Sequence, residues 1–369
     1  MKYRIYVGTY TEEIHFASGK VVKGKGEGIH QLLLDQEREM LLPAGNVCPC
    51  VNPSYLNLSS DGNYLYASNE RKDGEGVYGG TVSAYKVDRD TGGLTFLNRR
   101  HTRGTDPCYV TVHPAWVYAC NYGSGSVAAY PLGPDGSLEE MSQFIQYEGS
   151  STHESRQTGP HAHSMTLFGE GKYGLVCDLG RDRIEAYRID GKGGMTHMES
   201  LSIDSRPGAG PRHQEFSRDE SYLYTVNELD STVSVYRYER GVQHFSEIQR
   251  ISTLVHDVGD INTCADIHLS PDGAYLYVSN RGDSTIVFYR RNQYNGRLER
   301  AGYVDSGGRI PRSFAITPDG MHMVVSNQNS DNVVLFRIRR DGGLEQVHEV
   351  SVCNPVCVKI VNLIREINS

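Results

Sequence analysis

The sequence predicts an all-β protein: a single seven-bladed β-propeller domain over residues 1–369, with the last blade closed by strands from both ends of the chain. Two patterns predict this fold. One phrase, made of an apolar strand, a tight turn and a second strand ending in a polar pair, recurs about every 47 to 55 residues, which is the repeat length of a propeller blade. The two ends of the chain also carry the two halves of one further copy.

The phrase is clearest where a Pro-Asp-Gly or similar turn joins its two strands. Clear copies cover residues 55–70, 214–228, 266–281 and 314–328. Weaker copies cover residues 109–122, with a shortened turn at His113-Pro114-Ala115, and residues 164–179, with Gly-Glu-Gly at 169–171.

A second pair of strands follows each copy. Alternating apolar and polar residues with glycine-rich turns indicate antiparallel hairpins. These hairpins cover residues 81–97, 126–141, 183–198, 232–245, 285–300 and 332–347. Each copy and its hairpin make one four-stranded unit, so the sequence predicts six complete blades.

The seventh blade must be assembled from the two ends of the chain. Residues 3–11 have the form of the second strand of the phrase, and residues 354–362 supply the missing first strand. Pairing these strands closes the ring and leaves no exposed sheet edge at the junction. Residues 12–28 then form a long insertion, which we expect to be a solvated loop, with a lid over the site as the alternative.

Composition and charge argue against several classes of partner. The net charge is −8 and the basic residues are scattered, so we expect neither a nucleic-acid nor a membrane partner. The chain begins with a strand-like segment and has no apolar run that could span a membrane, which predicts a cytoplasmic protein. The eight cysteines are sparse in a long chain and are expected to be reduced and mostly buried. A zinc site is not expected, because neither Cys48/Cys50 nor Cys353/Cys357 supplies a convincing pair at zinc-ligand spacing. A monomer is expected.

In a propeller the first strand of each blade lines the central channel, so aligned copies show which side chains share that surface. The residue after the usual proline forms a first column: Ser54, Cys108, His163, Arg212, Ala265, Arg312 and Val356. The residue after the second strand forms a second column: Tyr10, Glu70, Tyr122, Leu179, Glu228, Arg281 and Gln328. Core packing alone does not select basic residues at such positions.

The two columns are expected to meet at one end of the channel. His163, Arg212, Glu228, Arg281 and Arg312 then converge in one pocket. Arginines with few matching carboxylates favour an anionic ligand. The alternative is that these residues only form ion pairs and hydrogen bonds between blades.

Further residues are expected to contact or support the substrate. They are His161, Arg312, Glu70, Tyr122, Asp266 and Gln328. His161 is interpreted as a hydrogen-bonded neighbour of the site, because only His163 of the GPHAHS segment falls in the first column. Asp266 and His268 lie beside that column and are expected to orient it.

Several phrases together resemble the propeller-type lactonases. They include NPSYLNLSSDGNYLYASNE, GPHAHS, GAGPRHQEFS, VNELDSTVSVYRY and ADIHLSPDGAYLYVSNRGDSTI, and the resemblance runs over nearly the whole chain. This family includes bacterial 6-phosphogluconolactonases and the fungal carboxy-cis,cis-muconate lactonising enzyme. The resemblance implies a catalytic site of one histidine, two arginines and one glutamate, which fall on His163, Arg212, Arg281 and Glu228. It also implies a hydrolase of carbohydrate metabolism in the pentose phosphate pathway, with a small anionic lactone as its substrate.

Lactone hydrolysis requires an activated water, a site for the oxyanion and a proton for the leaving alkoxide. Either Glu228 or His163 can serve as the general base. Arg212 and Arg281 are expected to hold the anionic group of the substrate and to stabilise the oxyanion. No cofactor is expected, and no serine nucleophile, because the segment 123–126 reads as a hairpin turn and not as a nucleophile elbow.

Three alternatives stay open. Cyclisation of a carboxymuconate is lactone chemistry in the reverse direction, and the same four residues could serve it. A calcium-dependent lactonase would need several carboxylates and amides at the channel, where the columns offer basic residues, so no metal is expected. A non-catalytic binding platform is compatible with the fold but does not explain the histidine and arginines.

Overall fold

The computed structural model describes residues 2–15, 19, 21–74, 77–256 and 262–362. Of the predicted domain, residue 1 and residues 363–369 lie outside the described residues. So do residues 16–18 and 20 of the predicted insertion.

Seven antiparallel sheets of four or five strands form most of the described chain, and we number them blades 1 to 7. Strands are given from the channel outwards. Blade 1 contains Pro355–Asn362, Lys2–Thr9, Gly28–Asp35 and Met40–Pro43, with Cys48–Pro49 beside the third strand. Blade 2 contains Pro53–Leu58, Tyr64–Asn69, Thr81–Val87 and Leu94–His101. Blade 3 contains Pro107–His113, Trp116–Asn121, Ser126–Pro131 and Gln143–Gln146.

The remaining blades repeat this order. Blade 4 contains Ala162–Phe168, Tyr173–Asp178, Arg183–Ile189 and a split outer strand, Met195–His197 and Ile203–Asp204. Blade 5 contains Pro211–Phe216, Tyr222–Asn227, Thr232–Glu239 and His244–Ser252. Blade 6 contains Cys264–Leu269, Tyr275–Asn280, Thr285–Arg291 and Leu298–Asp305. Blade 7 contains Pro311–Ile316, His322–Asn327, Asn332–Ile338 and Leu344–Ser351.

The seven first strands form a closed ring. Each contacts the first strand of the next blade, from blade 1 round to blade 7 and back to blade 1. Lys2–Thr9 pairs along its length with Pro355–Asn362. The predicted seven-bladed propeller, closed by strands from both ends of the chain, is confirmed.

Two short hairpins lie outside the blades. Ile14–His15 pairs with Val21–Val22, and Asp73–Gly74 pairs with Val77–Tyr78. The predicted loop 12–28 therefore contains strand pairing in its described part. In the described ranges the helices are single 3-10 turns at Leu179–Arg181 and Glu199–Leu201, and none is long and apolar enough to cross a membrane.

The outer strands of blades 3 and 4 depart from the prediction. In blade 3 the fourth strand is Gln143–Gln146, beyond the predicted end at 141, because a turn closed by an isolated bridge between Leu132 and Leu138 comes first. In blade 4 a 3-10 turn at Glu199–Leu201 divides the outer strand. Both differences lie on the outer rim, away from the channel.

Packing between blades accounts for many of the tyrosines. In five of the second strands a buried tyrosine hydroxyl donates to a glycine carbonyl in the outer hairpin of the next blade. The pairs are Tyr6 with Gly92, Tyr66 with Gly136, Tyr118 with Gly193, Tyr224 with Gly296 and Tyr277 with Gly342, at 2.9 to 3.3 Å. These rings belong to the inter-blade core, so they form no exposed aromatic patch of the kind that a binding platform would present.

Candidate active site

A β-bulge turns the first-column residue of each blade into the channel. The register shifts by one residue at every first strand, and each shift spans the first-column position. In five blades the proline before the bulge follows a residue with positive φ. These residues are Asn52, Asp106, Gly210, Ile310 and Asn354. A bulge of this kind bends the strand and re-aims one side chain.

The second column lies directly against the first. In all seven blades the backbone N–H of the second-column residue donates to a carbonyl at the entry to the first strand. The pairs run from Tyr10 with Asn354, through Glu70, Tyr122, Leu179, Glu228 and Arg281, to Gln328 with Ile310, at 2.7 to 3.1 Å. The two columns therefore meet at one end of the channel, as the sequence predicts.

Glu228 is the centre of this arrangement. Its side chain is 3% exposed, and three guanidinium groups contact it: Arg212 Nε at 3.0 Å, Arg281 Nη2 at 2.7 Å and Arg156 Nη2 at 2.5 Å. Burial by itself would raise the pKa of Glu228, but Arg281, Arg156 and Arg212 hold it well below its ordinary value. Glu228 is therefore a carboxylate throughout the neutral pH range.

Backbone carbonyls fix the directions of two of these arginines. Arg212 Nη1 donates to the carbonyl of Ala265 at 2.6 Å, and Arg281 Nη2 donates to that of Cys264 at 3.0 Å. Arg212 is 2% exposed. Charge-assisted hydrogen bonds to a rigid strand hold these cations in place at little further entropic cost.

His163 is buried beside the same cluster. Its ring centre lies 5.5 Å from that of Tyr122, and its Nδ1 lies 3.8 Å from Cys108 Sγ. Burial and the positive charge of Arg212 lower the pKa of His163 well below its ordinary value. The imidazole is therefore neutral at neutral pH, while burial raises the pKa of the Cys108 thiol.

The opposite wall of the mouth carries Arg312, Tyr10, Glu70 and Gln328. Arg312 lies over the ring of Tyr10 at 5.6 Å, and the Tyr10 hydroxyl donates to Glu70 at 3.1 Å. Gln328 Oε1 is buried without a hydrogen-bond partner among the described residues. A buried acceptor without a partner indicates that a ligand or a water molecule supplies the hydrogen-bond donor.

The charges at the mouth do not balance. Arg156, Arg212, Arg281 and Arg312 face the carboxylates of Glu70 and Glu228, while His163 is neutral. This excess of positive charge in a buried site attracts an anion.

A second layer lies deeper in the channel. His213 Nδ1 lies 2.8 Å from Asp266 Oδ1, and His268 Nε2 lies 3.4 Å from Asp266 Oδ2. The ring of His213 also meets those of Tyr109 at 5.2 Å and Tyr55 at 5.9 Å. Because blades 2 and 5 are not neighbours, the contact between Tyr55 and His213 crosses the channel and closes it below the site.

The family model for "Lactonase, 7-bladed beta-propeller" matches residues 4–360 of the chain. The chain belongs to this lactonase family.

Known proteins and solved structures match nearly the whole chain. A 6-phosphogluconolactonase of Bacillus subtilis is 36% identical over 365 residues, covering 98% of this chain and 99% of the relative. A solved structure from Bacteroides fragilis has a TM-score of 0.89 at 33% identity and covers 98% of both chains. The periplasmic gluconolactonase of Pseudomonas aeruginosa has a TM-score of 0.90 at 29% identity, covering 99% of this chain and 100% of its own.

The structure brings the four residues that the lactonase resemblance implies into one cluster. Arg212 and Arg281 contact Glu228 directly, and the ring of His163 lies beside them. Arg312, Glu70, Tyr122 and Gln328 line the same mouth. Their roles stay predictions.

Two supporting residues lie beside the cluster and not within it, and their roles stay predictions. His161 is a neighbour of Tyr122, on which its ring stacks at 4.4 Å and to whose carbonyl its Nδ1 donates at 2.7 Å. Asp266 contacts His213 and His268, so it reaches the first column only through the contact of His213 Nε2 with Arg212 Nη1 at 3.2 Å.

Sequence analysis missed Arg156 and His213. Arg156 lies in the loop between blades 3 and 4, outside the repeats, where alignment of the copies carries no information. His213 follows Arg212 directly, and strand alternation would place the two on opposite faces. The bulge between Pro211 and His213 removes that alternation. The sequence signal that could have pointed to His213 is the GPRH phrase of the lactonase resemblance.

Proposed function

We propose that this protein hydrolyses 6-phospho-D-glucono-1,5-lactone to 6-phosphogluconate. The observation that carries the proposal is the neutral His163 beside Glu228, whose carboxylate holds Arg212 and Arg281 in a buried site with excess positive charge. The Bacillus subtilis relative, a 6-phosphogluconolactonase, supports the choice of substrate.

His163 is the better base of the two candidates. Both oxygens of Glu228 already contact guanidinium groups, whereas the neutral imidazole of His163 keeps a nitrogen lone pair that can accept a proton. In the proposed reaction, water attacks the lactone carbonyl and gives its proton to His163. The ring C–O bond then breaks, and the imidazolium returns that proton to the departing alkoxide. Its low pKa makes the imidazolium a strong acid for this second step.

The arginines supply electrostatic stabilisation. Burial lowers the pKa of Arg281 to about 10, which leaves its guanidinium charged at neutral pH, and backbone carbonyls aim Arg212 and Arg281 before substrate arrives. Preorganised cations of this kind stabilise the oxyanion of the tetrahedral intermediate. Glu228 acts here by holding both cations on one carboxylate.

Other properties complete the proposal. We place the protein in the cytoplasm, supported by eight cysteines that form no disulfide among the described residues. We further propose a monomeric single domain spanning residues 1–369 without nucleic-acid or membrane partners, supported by the pairing of strands from both ends and by the net charge of −8. The substrate assigns the enzyme to the pentose phosphate pathway.

The test is hydrolysis of freshly generated 6-phosphoglucono-δ-lactone, followed against its spontaneous rate. Wild type should accelerate the reaction, and Glu228→Gln and Arg212→Ala should each lower kcat/KM by about 100-fold or more. Glu185→Gln is the matched control, because Glu185 is a buried carboxylate between Arg181 and Arg183 on the third strand of blade 4. No acceleration by wild type, or full activity in Glu228→Gln, would refute the proposal.

A further inference from the structure

Arg156 differs from the other arginines of the site because it lies in a loop, whereas they lie in a strand or directly after one. It lies in the segment between Gln143–Gln146 of blade 3 and Ala162–Phe168 of blade 4, yet only 14% of its side chain is exposed. Nη2 contacts Glu228 Oε1 at 2.5 Å and the Tyr122 hydroxyl at 3.0 Å. A loop residue is thus fixed inside the mouth of the channel.

The loop itself is built to present this side chain. Gln157, the next residue, is fully buried and donates from Nε2 to the carbonyl of Leu179 at 2.8 Å. Its Oε1 accepts from the N–H of His153 at 2.9 Å, and Ser151 Oγ donates to Asp182 at 2.6 Å. Leu179 is the apolar member of the second column, so the loop places a cation beside the one second-column position that has an apolar side chain.

Arg156 also keeps an open donor. Its Nε is buried without a hydrogen-bond partner among the described residues. Arg212 and Arg281, by contrast, use Nε and Nη groups on Glu228 and on backbone carbonyls. A buried guanidinium N–H without a partner is costly unless a ligand accepts from it.

We propose that Arg156 is the specificity-determining residue of this site and that its guanidinium binds the phosphate group of a phosphosugar lactone. This inference rests on the proposed function. The open Nε–H and the fixed positive charge are suited to a phosphate oxygen. Arg212 and Arg281 are held by Glu228 and by backbone carbonyls and serve the reacting carbonyl in this assignment, so recognition and chemistry fall to different arginines.

The experiment compares two substrates, 6-phosphoglucono-δ-lactone and glucono-δ-lactone, in wild type, Arg156→Ala and Arg156→Lys. The loss of kcat/KM in Arg156→Ala should be larger for the phosphorylated lactone than for the other by about 10- to 100-fold, mainly through KM. Arg156→Lys should recover part of that loss, because lysine keeps the charge but not the Nε–H. Equal losses on both lactones would overturn the proposal and leave Arg156 as a residue that only positions Glu228.

Arg183→Ala provides a matched control. Arg183 is 17% exposed and pairs with Glu185, Glu199 and Asp204 on the rim of blade 4, so both substrates should be used as in wild type.

A binding measurement separates this proposal from the proposed function. Calorimetry with 6-phosphogluconate and gluconate requires no turnover. If wild type hydrolyses neither lactone, the proposed function fails. Preferential binding of 6-phosphogluconate that Arg156→Ala loses would still support the assignment of Arg156, and equal binding of both acids by wild type would overturn it.

Discussion

Glu228 and Asp266 are buried carboxylates that lie one layer apart in the channel, and the protein neutralises them differently. Glu228, at the mouth, is surrounded by Arg156, Arg212 and Arg281. Asp266, in the deeper layer, is surrounded by His213 and His268. Arginine keeps its charge at any working pH, whereas histidine can lose it. At neutral pH the layer at the mouth, the upper layer, is therefore a cation cluster suited to an anion. The deeper, lower layer closes the channel, and its charge depends on histidines.

The largest expected difference between the layers concerns their two facing histidines. His163 and His213 have ring centres 5.2 Å apart, but only His163 lies in the first column at the mouth. His163→Gln should lower kcat by about 100- to 10,000-fold, because the proposed proton acceptor is lost. His213→Gln should cost about 10-fold or less, since it removes one hydrogen bond to Arg212.

Steady-state kinetics on 6-phosphoglucono-δ-lactone measure both variants. Similar losses in the two would show that the layers act as one catalytic unit, and the comparison would fail.

Stability should respond most strongly in the lower layer. Asp266→Asn removes the carboxylate that pairs with His268 and accepts from His213 and from the N–H of Phe314 at 3.2 Å. Losing one partner of a buried ion pair should lower the free energy of unfolding by about 3 kcal/mol. Urea unfolding measures this change, with Glu299→Gln on the exposed outer strand of blade 6 as the control. A change below about 1 kcal/mol would contradict the role assigned to Asp266.

The two layers should also differ in how pH affects stability. Burial by itself would lower the pKa of His268, but the carboxylates of Asp266 and Glu215 raise it to about 10 from an ordinary value of 6.5. A raised folded-state pKa stabilises the fold fully below pH 6.5, and this contribution is lost as pH rises towards 10. In the Glu228 cluster the carboxylate keeps its charge throughout this range, and burial lowers the pKa of Arg281 to about 10, so any slope from this cluster is confined to the alkaline end.

Unfolding midpoints at pH 6.5, 8 and 9.5 test this difference in wild type and His268→Gln. Wild type should lose its advantage over the variant as pH rises. A gap that stays constant with pH would show that His268 is not protonated in the folded state.

The smallest effect is expected from Tyr55. Its hydroxyl accepts from Lys359 Nζ at 3.0 Å, deep in the channel. Tyr55→Phe should lower the free energy of unfolding by about 1 kcal/mol and leave kcat/KM unchanged. A clear fall in kcat/KM would place substrate contacts deeper in the channel than the mouth.

The fold could be predicted because its repeats are local. Each blade carries its own turn and alternation, so six copies of one phrase specify six sheets, and the unmatched strands at 3–11 and 354–362 leave one way to close the ring. The outer strands were harder to predict, because the turn near Leu132 and the 3-10 turn at Glu199–Leu201 interrupt the pattern on an exposed rim.

The site was predictable only where it follows the repeat. His163, Arg212, Glu228 and Arg281 occupy positions that the turn register fixes, so alignment brought them together. Arg156 reaches Glu228 from a loop with no counterpart in the other copies. The low pKa of Glu228 depends on three cations from three separate segments, and no spacing in the sequence encodes it.

The pairing of Lys2–Thr9 with Pro355–Asn362 has a consequence for biosynthesis. A chain emerging from the ribosome can complete blades 2 to 7 in order, but Lys2–Thr9 lies beside an open gap until Pro355–Asn362 is synthesised. Until then the ring is open and has unpaired strand edges at the gap, which can pair with strands of other chains. The mouth takes residues from blades on both sides of that gap, so the enzyme acquires a complete site only after Pro355–Asn362 has been synthesised.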